Sequence, residues 1–215
     1  MQPHERWWQD NPDRDAQLHG WLASSGPDRE FIGELADTAA LASVLEVGPG
    51  LYLDHEHVWS ARPHIAYRAV DVTPRFVEAG KARGLNVAEG SIHDIPWPDA
   101  GVDLAYCRDV LEHLPHYQRA LQELWRVARY AVAVRFFRLA PSAQNDVVAF
   151  DTVADVRGLH HNTYGQAGIE ATLRAMGCTQ WEWDRLMPQP SDPTLYAGWL
   201  VAWKPAALVR AAPIP

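Results

Sequence analysis

The residues best suited to chemistry stand at the ends of two predicted strands in the first half of the chain. The apolar run 43–47 carries Glu46 and is followed by Gly48-Pro49-Gly50, whose glycines let a ligand approach the backbone closely. Asp71 ends the next predicted strand, 21 residues after Gly50, where a carboxylate can accept hydrogen bonds from both ribose hydroxyls. This spacing predicts a site for a nucleoside-containing ligand across the ends of the strands.

The segment after the glycines indicates which kind of nucleoside fits. A dinucleotide-binding loop has a third glycine three residues after the second, and this chain has Leu53 there. Asp54 and Glu56 add negative charge beside the loop. This charge disfavours a pyrophosphate and suits a ligand with a positively charged middle.

Three histidines are candidate general bases, because the pKa of imidazole lies close to neutral pH. His113 closes the sequence Leu-Glu-His-Leu, where packing is the commoner role. His160 and His161 precede a predicted late helix and do not occupy helical core positions. His55 and His57 look like a metal pair, but residues two apart on a helix point in different directions. Without a third ligand we predict no metal site.

Short apolar runs alternate with helical patterns after residue 42, which predicts parallel strands with helices on both faces of a sheet. The last two strands have no helix between them, so they should pair antiparallel. The predicted fold is therefore α/β, a Rossmann-like doubly wound mixed sheet of seven strands with the last strand antiparallel. The predicted strands are 43–47, 65–72, 85–90, 102–107, 130–137, 179–184 and 195–204.

The chain divides into three predicted parts. Residues 1–41 form a short helical N-terminal cap, in which Asp28 should be the N-cap of a helix. Residues 42–204 form the main domain, and residues 205–215 a C-terminal tail. Within the main domain, residues 139–163 are long for a strand-to-helix connection, so we expect a substrate-binding insertion there.

Aromatic and basic residues offer material for an acceptor site. The chain has ten tryptophans, and Trp7, Trp8 and Trp21 of the cap could form an apolar wall over a flat acceptor, although packing is the commoner role. Arg135 and Arg138 follow a predicted strand and could hold an acidic acceptor, with surface solubility as the alternative.

Composition and charge exclude several classes of protein. The 215 residues carry a formal net charge of −8, which argues against a nucleic-acid groove. No apolar run approaches the ~18 residues of a membrane span, and the polar N-terminus lacks a signal-peptide core. Two cysteines, Cys107 and Cys178, exclude a disulfide framework. We expect a cytoplasmic protein without a nucleic-acid or membrane partner, whose oligomeric state stays open, a homodimer included.

Four motifs together resemble class I S-adenosylmethionine-dependent methyltransferases, of the small-molecule group often called methyltransferase type 11. The matching segments lie between residues 42 and 204 and read VLEVGPG, AVDVTP, EGSIHDIPWPDAGVDLAYCRDVLEHL and GIEATLRAMGC. The resemblance implies that the main domain binds S-adenosylmethionine, releases S-adenosylhomocysteine and methylates a small-molecule acceptor.

The resemblance also implies a role for each matching residue of the first two motifs. Glu46, Gly48 and Gly50 would flank the methionine part of the cofactor. Asp71 would bind the ribose hydroxyls, and Val72 would lie under the adenine.

The third motif would complete the cofactor site. Ser91 and Ile92 match the family's Asp-Ala pair at the adenine, with Ser91 in place of the usual Asp. Cys107 and Arg108 would border the methionine end of the cofactor.

We therefore expect O-methylation of a small molecule in a biosynthetic or tailoring pathway, with nitrogen and carbon acceptors left open. A hydroxyl acceptor would use a base, for which His161, His160 and His113 are the candidates, whereas a carboxylate acceptor needs none. One alternative is a nicotinamide-dependent oxidoreductase on a similar sheet, which Leu53 and the acidic loop disfavour. The other is a non-catalytic module that binds S-adenosylmethionine.

Overall fold

The computed structural model describes Trp8, residues 28–141 and residues 160–205. The rest of the predicted N-terminal arm, most of the predicted insertion and the tail beyond residue 205 lie outside the described residues, as do Trp7 and Trp21. The described α-helices are α1 (Glu30–Thr38), α2 (Leu53–His57), α3 (Pro74–Ala82), α4 (Gln118–Val127) and α5 (Gln166–Ala175). The strands are β1 (Ser43–Val47), β2 (Ala66–Asp71), β3 (Val87–Glu89), β4 (Val102–Arg108), β5 (Ala128–Ala140), β6 (Tyr164–Gly165), β7 (Gln180–Gln189) and β8 (Asp192–Trp203).

The strands form one mixed sheet in the order β3-β2-β1-β4-β5-β8-β7, with the short β6 paired to the end of β5. Strands β1 to β5 pair in parallel, because the connections between them are long enough to cross over a face of the sheet. β8 lies antiparallel between β5 and β7, and only residues 190–191 separate it from β7. The predicted α/β fold with an antiparallel last strand is confirmed.

Different helices cover the two faces of the sheet. On one face, α4 and α5 pack against alternate residues of the central strands, such as Leu45 and Val132. On the other face, α1 and the 3₁₀ turn Trp59–Ala61 pack against the intervening residues, such as Val44 and Ala133. The period of two along each strand therefore places successive side chains in opposite layers of the core.

The prediction that Asp28 caps α1 is wrong. The N-cap position is Arg29, and no side chain there bonds to the first turn of the helix. The buried carboxylate of Asp28 instead accepts hydrogen bonds from two guanidinium groups, those of Arg108 and Arg135. Charge-assisted bonds to two buried cations are stronger than a bond to a backbone N–H, so the ion pairs take the side chain away from the helix.

Strand β5 is longer than the predicted 130–137, and its end is irregular. The register between β5 and β8 shifts between Phe136 and Leu139, which marks a β-bulge. Bulges re-aim side chains at strand ends, and this one lies at the edge of the sheet where the candidate active site is built. In the described part of the chain, no helix combines the length and hydropathy that crossing a membrane requires.

Candidate active site

The strand order reverses between β1 and β4, and ligands of open α/β sheets bind outside the carboxyl ends of the strands at such a point. The glycine loop after β1 lies there, with Gly48 at φ 76° and Gly50 at φ 53°, in the left-handed region that glycine adopts without cost. A Cβ on Gly48 would come within 2.8 Å of the Cγ2 atom of Val110. Both the backbone conformation and the space therefore require glycine at position 48.

Asp71 lies at the end of β2 and is tied to the glycine loop. Its Oδ2 atom accepts a hydrogen bond from the Gly50 N–H at 3.1 Å, and its Oδ1 atom accepts one from the Thr73 N–H at 2.8 Å. These two bonds fix the orientation of the carboxylate, a group with about four acceptor positions. The predicted neighbourhood of Gly50 and Asp71 is present.

Glu46 is buried in β1 beneath the loop. The hydroxyl of Tyr67 donates a hydrogen bond to its Oε2 atom at 2.6 Å. Burial, and after it the charge of Asp54, raises the pKa of Glu46 to about 8. Burial therefore favours the protonated form of this group, and a cation placed beside it would favour its ionised form.

The negative charge that the sequence places in the loop 53–57 is largely compensated. Asp54 is buried and forms ion pairs with Arg29 and with Arg108, the latter at 3.1 Å from Nε to Oδ2. No local pattern of the sequence indicates these pairs, because both arginines are distant from Asp54 along the chain. Glu56 is exposed on the same short helix.

A second set of ion pairs joins the segment before α1 to the ends of β4 and β5. The carboxylate of Asp28 lies 2.9 Å from Nη1 of Arg108 and 2.9 Å from Nε of Arg135. The guanidinium of Arg108 also lies over the ring of Trp199, 4.9 Å from its centroid. Arg135 forms a further pair with Asp109, so one of the two arginines that the sequence offers to an acidic acceptor is already engaged.

The remaining residues predicted at the cofactor lie along the same edge. Val72 is half-buried directly after β2, and Ser91 accepts a hydrogen bond at Oγ from the His93 N–H at 3.2 Å. The side chains of Ile92 and Cys107 are buried in the core. Burial, followed by the charge of Glu112, raises the pKa of the Cys107 thiol.

The structure brings the three candidate histidines together. Nδ1 of His113 lies 2.8 Å from the carbonyl oxygen of His160, which can only accept a hydrogen bond. The ring centroid of His113 lies 5.3 Å from those of His161, Phe137 and Trp8. His113 is buried, whereas the other three rings are half-buried.

Two polar side chains lock this cluster in place. The Asn162 side-chain amide donates to the Leu114 carbonyl and to the Tyr164 hydroxyl, the latter at 2.9 Å. The Tyr164 hydroxyl in turn donates to the carbonyl of Leu111 at 2.9 Å. Residues 160–164 are thereby fastened to the turn that carries His113.

Glu112 and Phe137 are site residues that sequence reasoning missed. The Glu112 carboxyl is fully buried, and its Oε1 atom accepts hydrogen bonds from the N–H groups of Phe137 at 2.6 Å and Arg138 at 3.0 Å. It therefore holds the β5 bulge against the turn of His113. The sequence around Glu112 does not indicate this role, because the N–H groups that Glu112 binds belong to the distant strand β5.

Among the residues that the structure describes, no group of three or more His, Cys, Asp or Glu side chains is arranged to hold a metal ion. The ring of His55 packs instead against Tyr67, with centroids 4.8 Å apart, and His57 is exposed.

Comparisons with known proteins agree with this geometry. Residues 45–132 match the family model described as a methyltransferase domain. The 1,6-didemethyltoxoflavin-N1-methyltransferase of Burkholderia thailandensis, solved with 1,6-didemethyltoxoflavin and S-adenosylhomocysteine, is similar with a TM-score of 0.66 and 17% identity over 95% of this chain and 91% of that chain. A SAM-dependent methyltransferase of Thermotoga maritima is similar with a TM-score of 0.59 and 15% identity, over 94% of this chain and 98% of that chain. No curated protein sequence matches this chain.

A further similar structure limits what the fold alone can decide. The [4+2]-cyclase SpnF has a TM-score of 0.56 and 19% identity over 80% of each chain. One fold can thus carry different reactions, and the reaction of this chain must be argued from its own residues.

Proposed function

We propose that this chain belongs to the class I S-adenosylmethionine-dependent methyltransferases and that it methylates a hydroxyl oxygen of a small organic molecule. The observation that carries the proposal is the contact between Nδ1 of His113 and the carbonyl oxygen of His160. Because a carbonyl only accepts, Nδ1 carries the proton and the lone pair of the neutral ring lies on Nε2. His113 is thereby prepared to take a proton from an acceptor.

The residues around the glycine loop fit S-adenosylmethionine, which supplies a methyl group already activated by a sulfonium. Gly48 and Gly50 leave the backbone open at the end of β1. The oriented carboxylate of Asp71 suits the ribose hydroxyls, and Glu46 suits a cation beside the loop.

Other residues of the proposed cofactor site act through their position. Val72, Ser91 and Ile92 would border the adenine, with Ser91 or its neighbours replacing the usual Asp. The backbone of Cys107 would line the methionine end. Arg108, held by Asp28 and Asp54, would support this end through its ion pairs rather than through a free guanidinium.

The two other histidines have supporting parts in the proposal. His160 sets the tautomer of His113 through its carbonyl oxygen, and the ring of His161 lies against the ring of His113. Because an activated methyl group needs little more than orientation, a positioned base contributes mainly when the acceptor must lose a proton.

Several facts support a small acceptor and a cytoplasmic location. The net charge of −8 disfavours RNA as the substrate. The similar Burkholderia enzyme is described with a small molecule, 1,6-didemethyltoxoflavin. Cys107 and Cys178 are buried without a disulfide, as is usual in a reducing compartment. A biosynthetic or tailoring pathway is the setting that we propose.

The substitution His113→Asn tests the base. We expect turnover of phenols and alcohols to fall by about 10²–10⁴-fold, while the affinity for S-adenosylhomocysteine stays unchanged. His116→Asn is the matched control, because His116 is exposed three residues further along the chain. Equal losses on carboxylate acceptors, which have no proton to give up, would contradict the role of a base. Cofactor binding without turnover of any acceptor would favour the non-catalytic module.

A further inference from the structure

The rings around His113 form a patch beside the proposed base. Trp8, Phe137 and His161 are each half-buried, while His113 lies buried beneath them. The rings meet at different angles, 68° between Trp8 and His113, 89° between Phe137 and His161, and 36° between His113 and Phe137. Because the three outer rings are only half-buried, part of each can pack against another flat ring.

A cation without a carboxylate partner adjoins this patch. Arg138 donates from Nε to the Thr163 hydroxyl at 3.3 Å, and within the described residues it forms no ion pair. The positive charge of Arg138 contributes to lowering the pKa of Asp192, but the two side chains form no ion pair. Arg108 and Arg135, by contrast, are both held by buried carboxylates.

At the β-bulge, the ring of Phe137 and the guanidinium of Arg138 both contact the segment 161–163. Phe137 and Arg138 are successive residues of β5, and Glu112 binds the N–H groups of both. Phe137 then contacts His161, and Arg138 contacts Thr163, two residues further on. An apolar ring surface, a cation and a base therefore adjoin one another at the carboxyl end of β5.

We infer that this surface binds a planar aromatic acid that carries the acceptor hydroxyl. The aromatic ring packs against Trp8, Phe137 and His161, the acid group pairs with Arg138, and the hydroxyl faces His113. An aromatic hydroxyl suits a histidine base, because its pKa near 10 is far below that of an alcohol. The inference rests on the proposed function, since it names the acceptor class of the same site.

The test measures binding rather than turnover. Protein labelled with fluorotryptophan and saturated with S-adenosylhomocysteine is titrated with para-hydroxybenzoate, with its amide and with the saturated-ring analogue of the acid. Fluorine NMR reports each titration, and Trp8→Phe identifies the Trp8 signal. We expect the aromatic acid to shift this signal and to bind about tenfold more tightly than the amide, as a charge-assisted hydrogen bond allows. It should bind about three- to tenfold more tightly than the saturated analogue.

Two variants divide the site into its parts. Arg138→Met should abolish the preference for acid over amide. Phe137→Leu should reduce the preference for an aromatic over a saturated ring, to which Trp8 and His161 also contribute. Arg119→Met and Tyr130→Leu are the matched controls, because both residues lie outside the patch.

The result that overturns the inference is equal binding of the three probes, or preferences that both variants leave unchanged, or no shift of the Trp8 signal. Failure of the proposed function is a different result. It would appear as a protein that does not bind S-adenosylhomocysteine, or as a His113 variant with unchanged turnover of hydroxyl acceptors.

Discussion

Replacing Glu112 with Gln should change how the stability of the protein depends on pH. The carboxyl of Glu112 is fully buried, and one of its oxygens accepts two backbone N–H bonds. Its Oε2 atom is buried with no hydrogen-bond partner in the described structure. Burial, and after it the charge of Asp109, raises the pKa of Glu112 from 4.5 to about 8.

The size and sign of the effect follow from this pKa. Below the unfolded pKa both states hold the proton, so folding has no pH dependence from this group. Between the two pKa values the folded state keeps a proton that the unfolded state has lost, so stability falls by about 1.4 kcal/mol per pH unit as pH rises. A Gln side chain has no such proton. As the pH rises from about 5.5 to about 7.5, the free energy of unfolding of Glu112→Gln should therefore increase by about 2–3 kcal/mol relative to that of the parent.

Urea unfolding followed by tryptophan fluorescence measures this difference at each pH. The change between the two pH values is the informative quantity, because the amide also leaves an unpaired N–H that costs about 1–3 kcal/mol at every pH. Glu123→Gln is the matched control. The side chain of Glu123 is also buried, but its hydrogen bond to Arg126 lowers its pKa. Because Glu123 then stays ionised from about pH 5.5 to about pH 7.5, the loss of stability in Glu123→Gln should be constant over this interval. An unchanged difference between the parent and Glu112→Gln across the interval would mean that Glu112 is ionised in the folded protein.

Two further substitutions test the cofactor site and the ion pairs. Asp71→Ala should weaken binding of S-adenosylhomocysteine by about 1–3 kcal/mol in a calorimetric titration, since it removes an acceptor from the ribose, and an unchanged dissociation constant would refute that assignment. Asp28→Asn should lower the free energy of unfolding at pH 7 by about 3–5 kcal/mol, because Arg108 and Arg135 lose a buried partner. Asp99→Asn, at an exposed ion pair, should cost less than about 1 kcal/mol in the same urea experiment, and an equal cost for both would contradict the argument.

Local patterns predicted the elements that local residues determine. The strand at 43–47 was predicted with the bounds that β1 has, because an apolar run before two glycines is bounded at both ends. β5 and β7 extend past their predicted ends, to Ala140 and Gln189, because pairing with β8 and β6 holds those residues in the sheet. The two residues of β6 carry no strand pattern of their own, so the sequence could not indicate them.

The candidate site divides in the same way. The glycine loop and Asp71 come from motifs with a fixed spacing, and the sequence predicted that they meet. The pairs of Asp28 with Arg108 and Arg135 span 80 and 107 residues, and only the strand order brings their ends together. No pattern within one sequence distinguishes these arginines from solvated ones, which is why Arg135 was considered for an acceptor.

The ion pairs also change the electrostatic reasoning about the cofactor. The sequence places four carboxylates beside a cationic ligand, namely Glu46, Asp54, Glu56 and Asp71. The structure shows that Arg29 and Arg108 neutralise one of them, Asp54. The raised pKa of Glu46 favours its protonated form before a ligand binds. Part of the attraction for a cation therefore depends on a group that ionises when the cation arrives, beside the carboxylates of Asp71 and Glu56. A buried carboxyl of this kind costs less to fold than a buried charge, and it still provides a counter-ion when the site is filled.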